Sequence, residues 1–247
     1  DIVCSVSRRS FTCTACYYKP FGGKPKLRLR RKKNRDTRFE RCAEFALTPE
    51  PSLKDRFYDV FDKSRVLEME IGSGKGGFIT QCAAQNQNRS FISIERVKDC
   101  ILMGMEKAYN AGLGNIRFIC ADAEILPSIL PEKCADVIYI NFCDPWPKAA
   151  HAKRRLTHRK MIKHYLPLLK NGGEIRFKTD NDGLFEFTLK EFAELSFEMS
   201  EITRDLHSTA TPNIMTEYEK RFSDMGVKIK RLVAKPTDTT YKILTEL

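Results

Sequence analysis

Val66-Leu67-Glu68-Met69-Glu70-Ile71-Gly72-Ser73-Gly74-Lys75-Gly76-Gly77 is the stretch on which the fold turns. Val66 to Ile71 has the apolar character of a buried strand, and Gly76 to Ala84 opens a helix. Between them, Gly72, Gly74 and Gly77 meet the spacing G-x-G-x-x-G, which lets backbone approach a ligand closely. The Lys-Ser/Thr pair of a phosphate loop is missing, which excludes that class of nucleotide site. Strand, glycine turn and helix together form the first half of a βαβ unit.

The same rhythm continues downstream. Ser90 to Glu95 is a second strand, Val97 to Tyr109 an amphipathic helix, Asn115 to Cys120 a third strand and Ala135 to Asn141 a fourth. Arg159 to Leu169 is a helix stopped by Asn171-Gly172-Gly173. Glu174 to Lys178 is a fifth strand, followed by a helix over Asp182 to Glu194. After Phe197 the rhythm changes, with a helix at Tyr218 to Met225 and a late strand at Val227 to Val233. This alternation predicts an α/β protein with a mostly parallel, doubly wound sheet and a late antiparallel strand.

Open α/β sheets bind ligands beyond the carboxyl ends of their strands, and acids stand at four consecutive ends: Glu70, Glu95, Asp122 and Asp144. Glu95 is placed to accept the hydroxyl hydrogens of a ribose, Glu70 to meet a cationic amino group, and Asp122 to meet an adenine edge. A pyrophosphate cofactor gains nothing from an extra carboxylate beside its phosphates, because like charges repel. S-adenosylmethionine carries a sulfonium and an ammonium and suits an acid-rich site. A nicotinamide-dependent oxidoreductase using the same glycine loop is the alternative. Each acid also has an ordinary structural reading, as a strand-end ion pair or a turn residue.

Asp144 lies in Ile140-Asn141-Phe142-Cys143-Asp144-Pro145-Trp146-Pro147-Lys148, just before a basic patch from His151 to Lys163. The net charge of +11 is uneven, since residues 1–50 carry 13 Lys/Arg against 5 Asp/Glu. A basic arm near Lys24 to Arg41 and a second patch at Lys153 to Lys163 predict a polyanionic partner, nucleic acid above all. Such contacts give affinity with a steep salt dependence and little sequence information.

At 247 residues and 42% hydrophobic content, the chain can bury one sizeable core. Residues 1–26 are expected to form a disordered extension, 27–55 a basic arm, and 56–247 a single domain. No apolar run approaches the roughly 20 residues of a membrane span. Nine cysteines, dispersed apart from Cys13-x-x-Cys16, point to reduced thiols and a cytoplasmic protein. With no second paired set, no metal site is expected.

From about Arg56 to Val233 the chain resembles the bacterial tRNA (guanine-N7-)-methyltransferase family. The resemblance is carried by Glu70-Ile71-Gly72-Ser73-Gly74-Lys75-Gly76, Ser93-Ile94-Glu95, Asn141 to Lys148, Lys153-Arg154-Arg155-Leu156, Phe177-Lys178-Thr179-Asp180-Asn181, Asp205-Leu206-His207-Ser208 and Ile214-Met215-Thr216-Glu217-Tyr218-Glu219. It implies a Rossmann-like class I methyltransferase fold, S-adenosylmethionine as methyl donor, and transfer to N7 of a guanine in the tRNA variable loop, position 46. Another RNA guanine is the nearer alternative. The resemblance also implies that Glu70, Gly72, Gly74, Glu95, Asp122 and Asp144 line the cofactor site, with Asp144 catalytic. Lys148, Asp180, Thr216, Glu217, Tyr218 and Glu219 would contact the guanine. Ala150, His151, Ala152, Lys153, Arg154 and Arg155 would form the RNA-interaction segment. Ala149 and Ala150 depart from the family, whose members often carry basic residues there. No obligate protein partner is implied, and monomer or homodimer are both compatible. Asp180 also stands where a helix N-cap is expected, and Thr216-x-x-Glu219 fits a capping box.

Overall fold

A computed structural model describes residues 34–246. Of the predicted basic arm, Lys24 to Lys33 lies outside the described residues, as do the 1–26 extension and Cys13-x-x-Cys16. The chain enters with α1 (Arg35–Arg41), β1 (Ala46–Leu47), α2 (Ser52–Asp55) and α3 (Phe57–Val60). The alternating body follows as β2 (Leu67–Ile71), α4 (Gly77–Gln85), β3 (Ser90–Ile94), α5 (Lys98–Asn110), β4 (Ile116–Ile119), α6 (Leu126–Ile129) and β5 (Ala135–Asn141). It closes with α7 (Arg159–Tyr165), β6 (Leu169–Thr179), α8 (Asp182–Glu194), β7 (Glu198–Thr203), α9 (Glu217–Ser223), β8 (Lys230–Lys235) and α10 (Asp238–Thr245).

The eight strands form one sheet in the order β1-β4-β3-β2-β5-β6-β8-β7. All pairings are parallel except those of β8, which runs antiparallel to both β6 and β7. The order reverses between β2 and β5, so a crevice opens beyond Ile71 and Asn141. Every residue of β2 and β3 is buried, as expected for central strands covered on both faces. One core holds Phe78 and Ile79 of α4, Ile101 and Met105 of α5, and the strand residues Phe91 and Phe118. The larger core holds Met161 and Ile162 of α7, Phe185 and Phe192 of α8, and Ile92, Ile138 and Phe177.

The predicted strands of the first half stand within about two residues of their expected ends, whereas the second half departs in four places. The expected helix to Leu169 ends at Tyr165 and passes through a turn at Leu166–Leu168, where Pro167 interrupts the backbone donors. Asn171-Gly172-Gly173 does not stop that helix. It lies inside β6, at the register shift that separates the Ala135–Leu169 pair from the Val137–Glu174 pair. The late strand runs Lys230–Lys235, a few residues beyond its predicted start. β7 was not anticipated. It is a largely exposed edge strand of polar character, bent at Glu201 (φ 50°), and lacks the apolar signal of the buried strands.

Residues 35–55 are joined to this body. Cys42, Phe45 and Leu53 are buried, and β1 pairs with β4. Arg38 bonds Glu106 of α5 through Nε at 2.7 Å, Arg41 lies 3.6 Å from the same carboxylate, and Arg35 lies 3.8 Å from Asp99. Of the expected phosphate-facing arm, these three arginines are therefore engaged with acids of the protein itself.

Candidate active site at the sheet switch point

The glycine loop owes its shape to positive φ at Gly72 (76°), Gly74 (55°) and Gly76 (68°). A Cβ at Gly76 would stand 2.9 Å from the Gly104 Cα, so α5 crosses the loop with backbone nearly touching backbone. Gly72 and Ser73 donate their N–H groups to the Ile94 carbonyl at 2.9 and 3.1 Å, which ties the loop to the end of β3. Ser73 and Ser93 hydroxyls meet at 2.7 Å.

Glu95 follows β3 directly. Its Oε2 accepts the Gly74 N–H at 3.0 Å and its Oε1 accepts the Val97 N–H at 2.9 Å. The carboxylate as a whole keeps acceptor capacity for a hydroxyl donor. Burial pushes this carboxyl up despite its backbone donors. Glu70 is more enclosed, with 2% exposure. Asn141 Nδ2 donates to Glu70 Oε1 at 2.9 Å, while Glu70 Oε2 and Asn141 Oδ1 are buried without a hydrogen-bond partner. Burial raises Glu70 to about 7, against the opposing pull of Asn141 and Lys178. Asp122 is exposed, three residues past the end of β4, and accepts the Glu124 N–H at 3.3 Å.

Asp144 sits on the loop leaving β5, where Phe142 (φ 51°) and Trp146 (φ 38°) take left-handed conformations without being glycine. The Arg96 guanidinium stands between two of the acids, 3.7 Å from Asp144 and 4.0 Å from Asp122. Cys143, half-buried beside Asp144, is pushed up to about 12 by desolvation and stays a neutral thiol. Arg155 donates to the Pro145 and Trp146 carbonyls at 3.0 Å each. Thus one member of the expected RNA segment faces the loop interior. Ala149 to Arg154 form a short 3-10 turn in which Ala150, Lys153 and Arg154 are exposed, while His151 and Ala152 are half-buried. The His151 ring meets Trp146 edge-on at 5.7 Å, and the Arg154 guanidinium lies over the same indole at 4.9 Å. Lys148 is exposed at the head of this turn.

The segment 213–219 comes to the other side of β6. Thr216 and Glu219 form the expected capping box on α9. Glu219 is fully buried, and its carboxylate is also met by Lys178 Nζ at 2.7 Å, His207 Nε2 at 2.9 Å and Asn213 Nδ2 at 2.5 Å. Burial pushes that carboxyl up, yet Lys178 and the other donors outweigh it and hold Glu219 below its ordinary range. Lys178 Nζ further donates to the Ile214 carbonyl at 3.0 Å, pinning the segment to the sheet. Glu217 pairs with Lys107 of α5, and the Tyr218 ring packs 5.1 Å from Phe142 on the Asp144 loop. Asp180 is not the N-cap of α8. Asn181 takes that position, its Oδ1 accepting the Leu184 N–H at 2.8 Å. Burial pushes the Asp180 carboxyl up.

Sequence reasoning missed Lys178, His207, Asn213, Asn141 and Arg96. Lys178 carried a signal: a lysine at an inward position of an apolar strand needs a buried acid. A cleft of ≈ 560 Å³ flanks this network, lined by Phe78, Tyr139, Asn141, Lys178, Asn213 and Met215 among others. It lies apart from the glycine loop and Asp144, neither of which lines it.

A family model described as "Putative methyltransferase" matches residues 64–232. The tRNA (guanine-N(7)-)-methyltransferase of Macrococcus caseolyticus is 43% identical over 74% of this chain and 87% of its own length. That of Streptococcus agalactiae serotype III is 36% identical over 85% of this chain and 100% of its own. The chain belongs to the tRNA (guanine-N(7)-)-methyltransferase family. A solved antibiotic-related methyltransferase shares the fold, with a TM-score of 0.55 and 22% identity over 73% of this chain and 92% of its own. Membership favours the methyltransferase branch of the sequence reading over the nicotinamide one. It implies a class I methyltransferase fold with S-adenosylmethionine as methyl donor. The residues fit that cofactor: Glu95 retains acceptor capacity for a hydroxyl beside the glycine loop, and Glu70 Oε2 is buried without a hydrogen-bond partner, suited to a cationic amino group.

Proposed function

We propose that the protein methylates N7 of a guanine in tRNA, at position 46 of the variable loop, using S-adenosylmethionine. The observation that supports it most is the meeting of Asp144 with the cofactor acids at the switch point, linked to Asp122 through Arg96. Bound there, S-adenosylmethionine supplies a methyl group activated by its sulfonium. Glu95 would accept from the ribose hydroxyls, the Gly72 to Gly74 backbone would pass beneath, and Asp122 would meet the adenine edge. Guanine N7 has a free lone pair and no proton to lose, so the site needs no strong general base.

What the chain must supply is orientation, exclusion of water and compensation for positive charge arriving on the purine. Placement in line can account for several kcal/mol of barrier, up to roughly 7–11 in favourable cases. An ionised Asp144 would bond the N1 and N2 hydrogens of guanine and offset the developing charge. Adenine lacks that pair of donors, so the same carboxylate selects the base. Lys148 and Asp180 would hold the nucleotide from either side. Thr216 to Tyr218 would contact it, with Glu219 acting behind them through Lys178. Lys153 and Arg154, both exposed, would meet phosphate.

The test is incubation with methyl-labelled S-adenosylmethionine and unmodified tRNA, followed by base-selective cleavage at 7-methylguanine. Cleavage at position 46 is the expected result. Label at another guanine would reassign the target, and no label in tRNA would overturn the reading.

A further inference from the structure

We propose that Arg155 is a positioning residue for methyl transfer, clamping the Asp144 loop from inside instead of holding tRNA phosphate. The proposal rests on Asp144 being the residue that faces the base. The loop is strained on both sides of that residue, with Phe142 and Trp146 at positive φ. Backbone of this kind is sparsely populated in residues other than glycine and persists only where its surroundings hold it. Arg155 provides the hold. Its Nε donates to the Pro145 carbonyl and its NH2 group to the Trp146 carbonyl, both at 3.0 Å. These carbonyls belong to the two residues that follow Asp144, so the bonds fix the backbone immediately downstream of the carboxylate.

The guanidinium is itself held. Its Cζ lies over the Phe187 ring of α8, 4.3 Å from the centroid, and that ring stacks with His158 at 6.0 Å on its own account. The next residue, Leu156, reaches back to the glycine loop, with Cδ1 3.5 Å from where a Cβ on Gly72 would stand. Its carbonyl accepts the hydroxyl of the fully buried Tyr165 at 2.9 Å. Arg155 and Leu156 therefore join the Asp144 loop, the glycine loop and α7. With two of its three nitrogens spent on carbonyls and one face on an aromatic ring, Arg155 is poorly placed to serve phosphate. Its exposed neighbours Lys153 and Arg154 differ in this respect. A planar fork of two donors is what the two carbonyls require, and lysine offers a single point in its place.

Arg155→Met and Arg155→Lys in the full chain, compared with Arg154→Met, test this. Turnover at saturating tRNA should fall on the order of a hundredfold in Arg155→Met, the scale expected for a misplacement near 1 Å. Arg155→Lys should recover part of that loss. In both, the slope of log binding constant for tRNA against log salt should match the parent, whereas Arg154→Met should lose about one unit of slope. An Arg155→Met protein with normal saturated turnover, or with a slope reduced by about one unit, overturns the proposal. Should Arg155→Met not fold, Phe187→Leu removes the platform and keeps the charge. Turnover should drop there with the salt slope intact, and unchanged turnover would overturn the clamp. Asp144→Ala run in parallel reports separately on the premise.

Discussion

Asp144 and Glu70 are both strand-end acids, but their surroundings give them different work. Asp144 stands on a strained loop beside Arg96, and its proposed task is electrostatic. Asp144→Ala should cut saturated turnover by about 10²- to 10³-fold, the scale of losing one preorganised charge partner, with tRNA affinity nearly unchanged. Near-normal turnover of that variant would remove Asp144 from the mechanism. Glu70 is enclosed, and burial lifts it from its ordinary range to about 7. A carboxyl raised in the folded state binds its proton more tightly there than in the unfolded chain. Its contribution to stability is complete below the unfolded value near 4.5 and is lost as pH rises through about 7. The loss amounts to roughly 3 kcal/mol if the whole shift is expressed. Glu70→Gln should therefore melt at a higher temperature than the parent at pH 8 and show little difference at pH 4.5. Parallel melting curves across that window would contradict the assignment.

Elements are placed by close approaches that only small residues allow. Gly104 lies in the middle of α5, where glycine is unfavourable by propensity. An added Cβ there would stand 2.7 Å from Phe118 Cε1 and 3.4 Å from the Gly76 Cα. Gly104→Ala should thus destabilise the protein by about 1–3 kcal/mol, against the gain expected from helix propensity, and weaken cofactor binding by pushing the loop. Chemical denaturation with and without S-adenosylhomocysteine measures both, and a stabilised variant would show that α5 yields freely. The α9 segment illustrates a second kind of placement. Its capping box was legible in Thr216 and Glu219, but the burial of Glu219 under Lys178, His207 and Asn213 was not. Those partners come from β6, the 206–208 turn and the loop before α9, and nothing in the local pattern announces their convergence.

Across the whole molecule, charge is sorted between internal docking and outward display. Arg35, Arg38 and Arg41 join α1 to acids of α5, so they contribute less to a polyanion than their number suggests. Lys153 and Arg154 remain exposed beside the site, and Arg30, Arg31, Lys32 and Lys33 precede α1 in sequence. Replacing those four with serine should flatten the salt dependence of tRNA binding by up to about one unit per lost phosphate contact. Titrations between 50 and 200 mM salt, roughly the range in which counterion release is well resolved, would reveal it. An unaltered slope would place the phosphate contacts elsewhere. No helix among the described residues is long and apolar enough to cross a membrane.

The sequence by itself determined the parallel α/β alternation, because a strand buried on both faces and a helix buried on one leave different apolar periods. It also determined the glycine loop, the four strand-end acids and the capping box, since each is a local pattern with a local physical cause. Tertiary structure alone decided which charges work outward and which work inward. Arg154 and Arg155 are adjacent in sequence, yet one is exposed over the half-buried Trp146 indole and the other grips two carbonyls of the Asp144 loop. Lys178 on its strand calls for a buried acid, but only the fold brings Glu219, 41 positions later, within 2.7 Å to neutralise it. A hydrogen bond or ion pair is set by what the fold brings within about 3 Å, and that distance is not written along the chain.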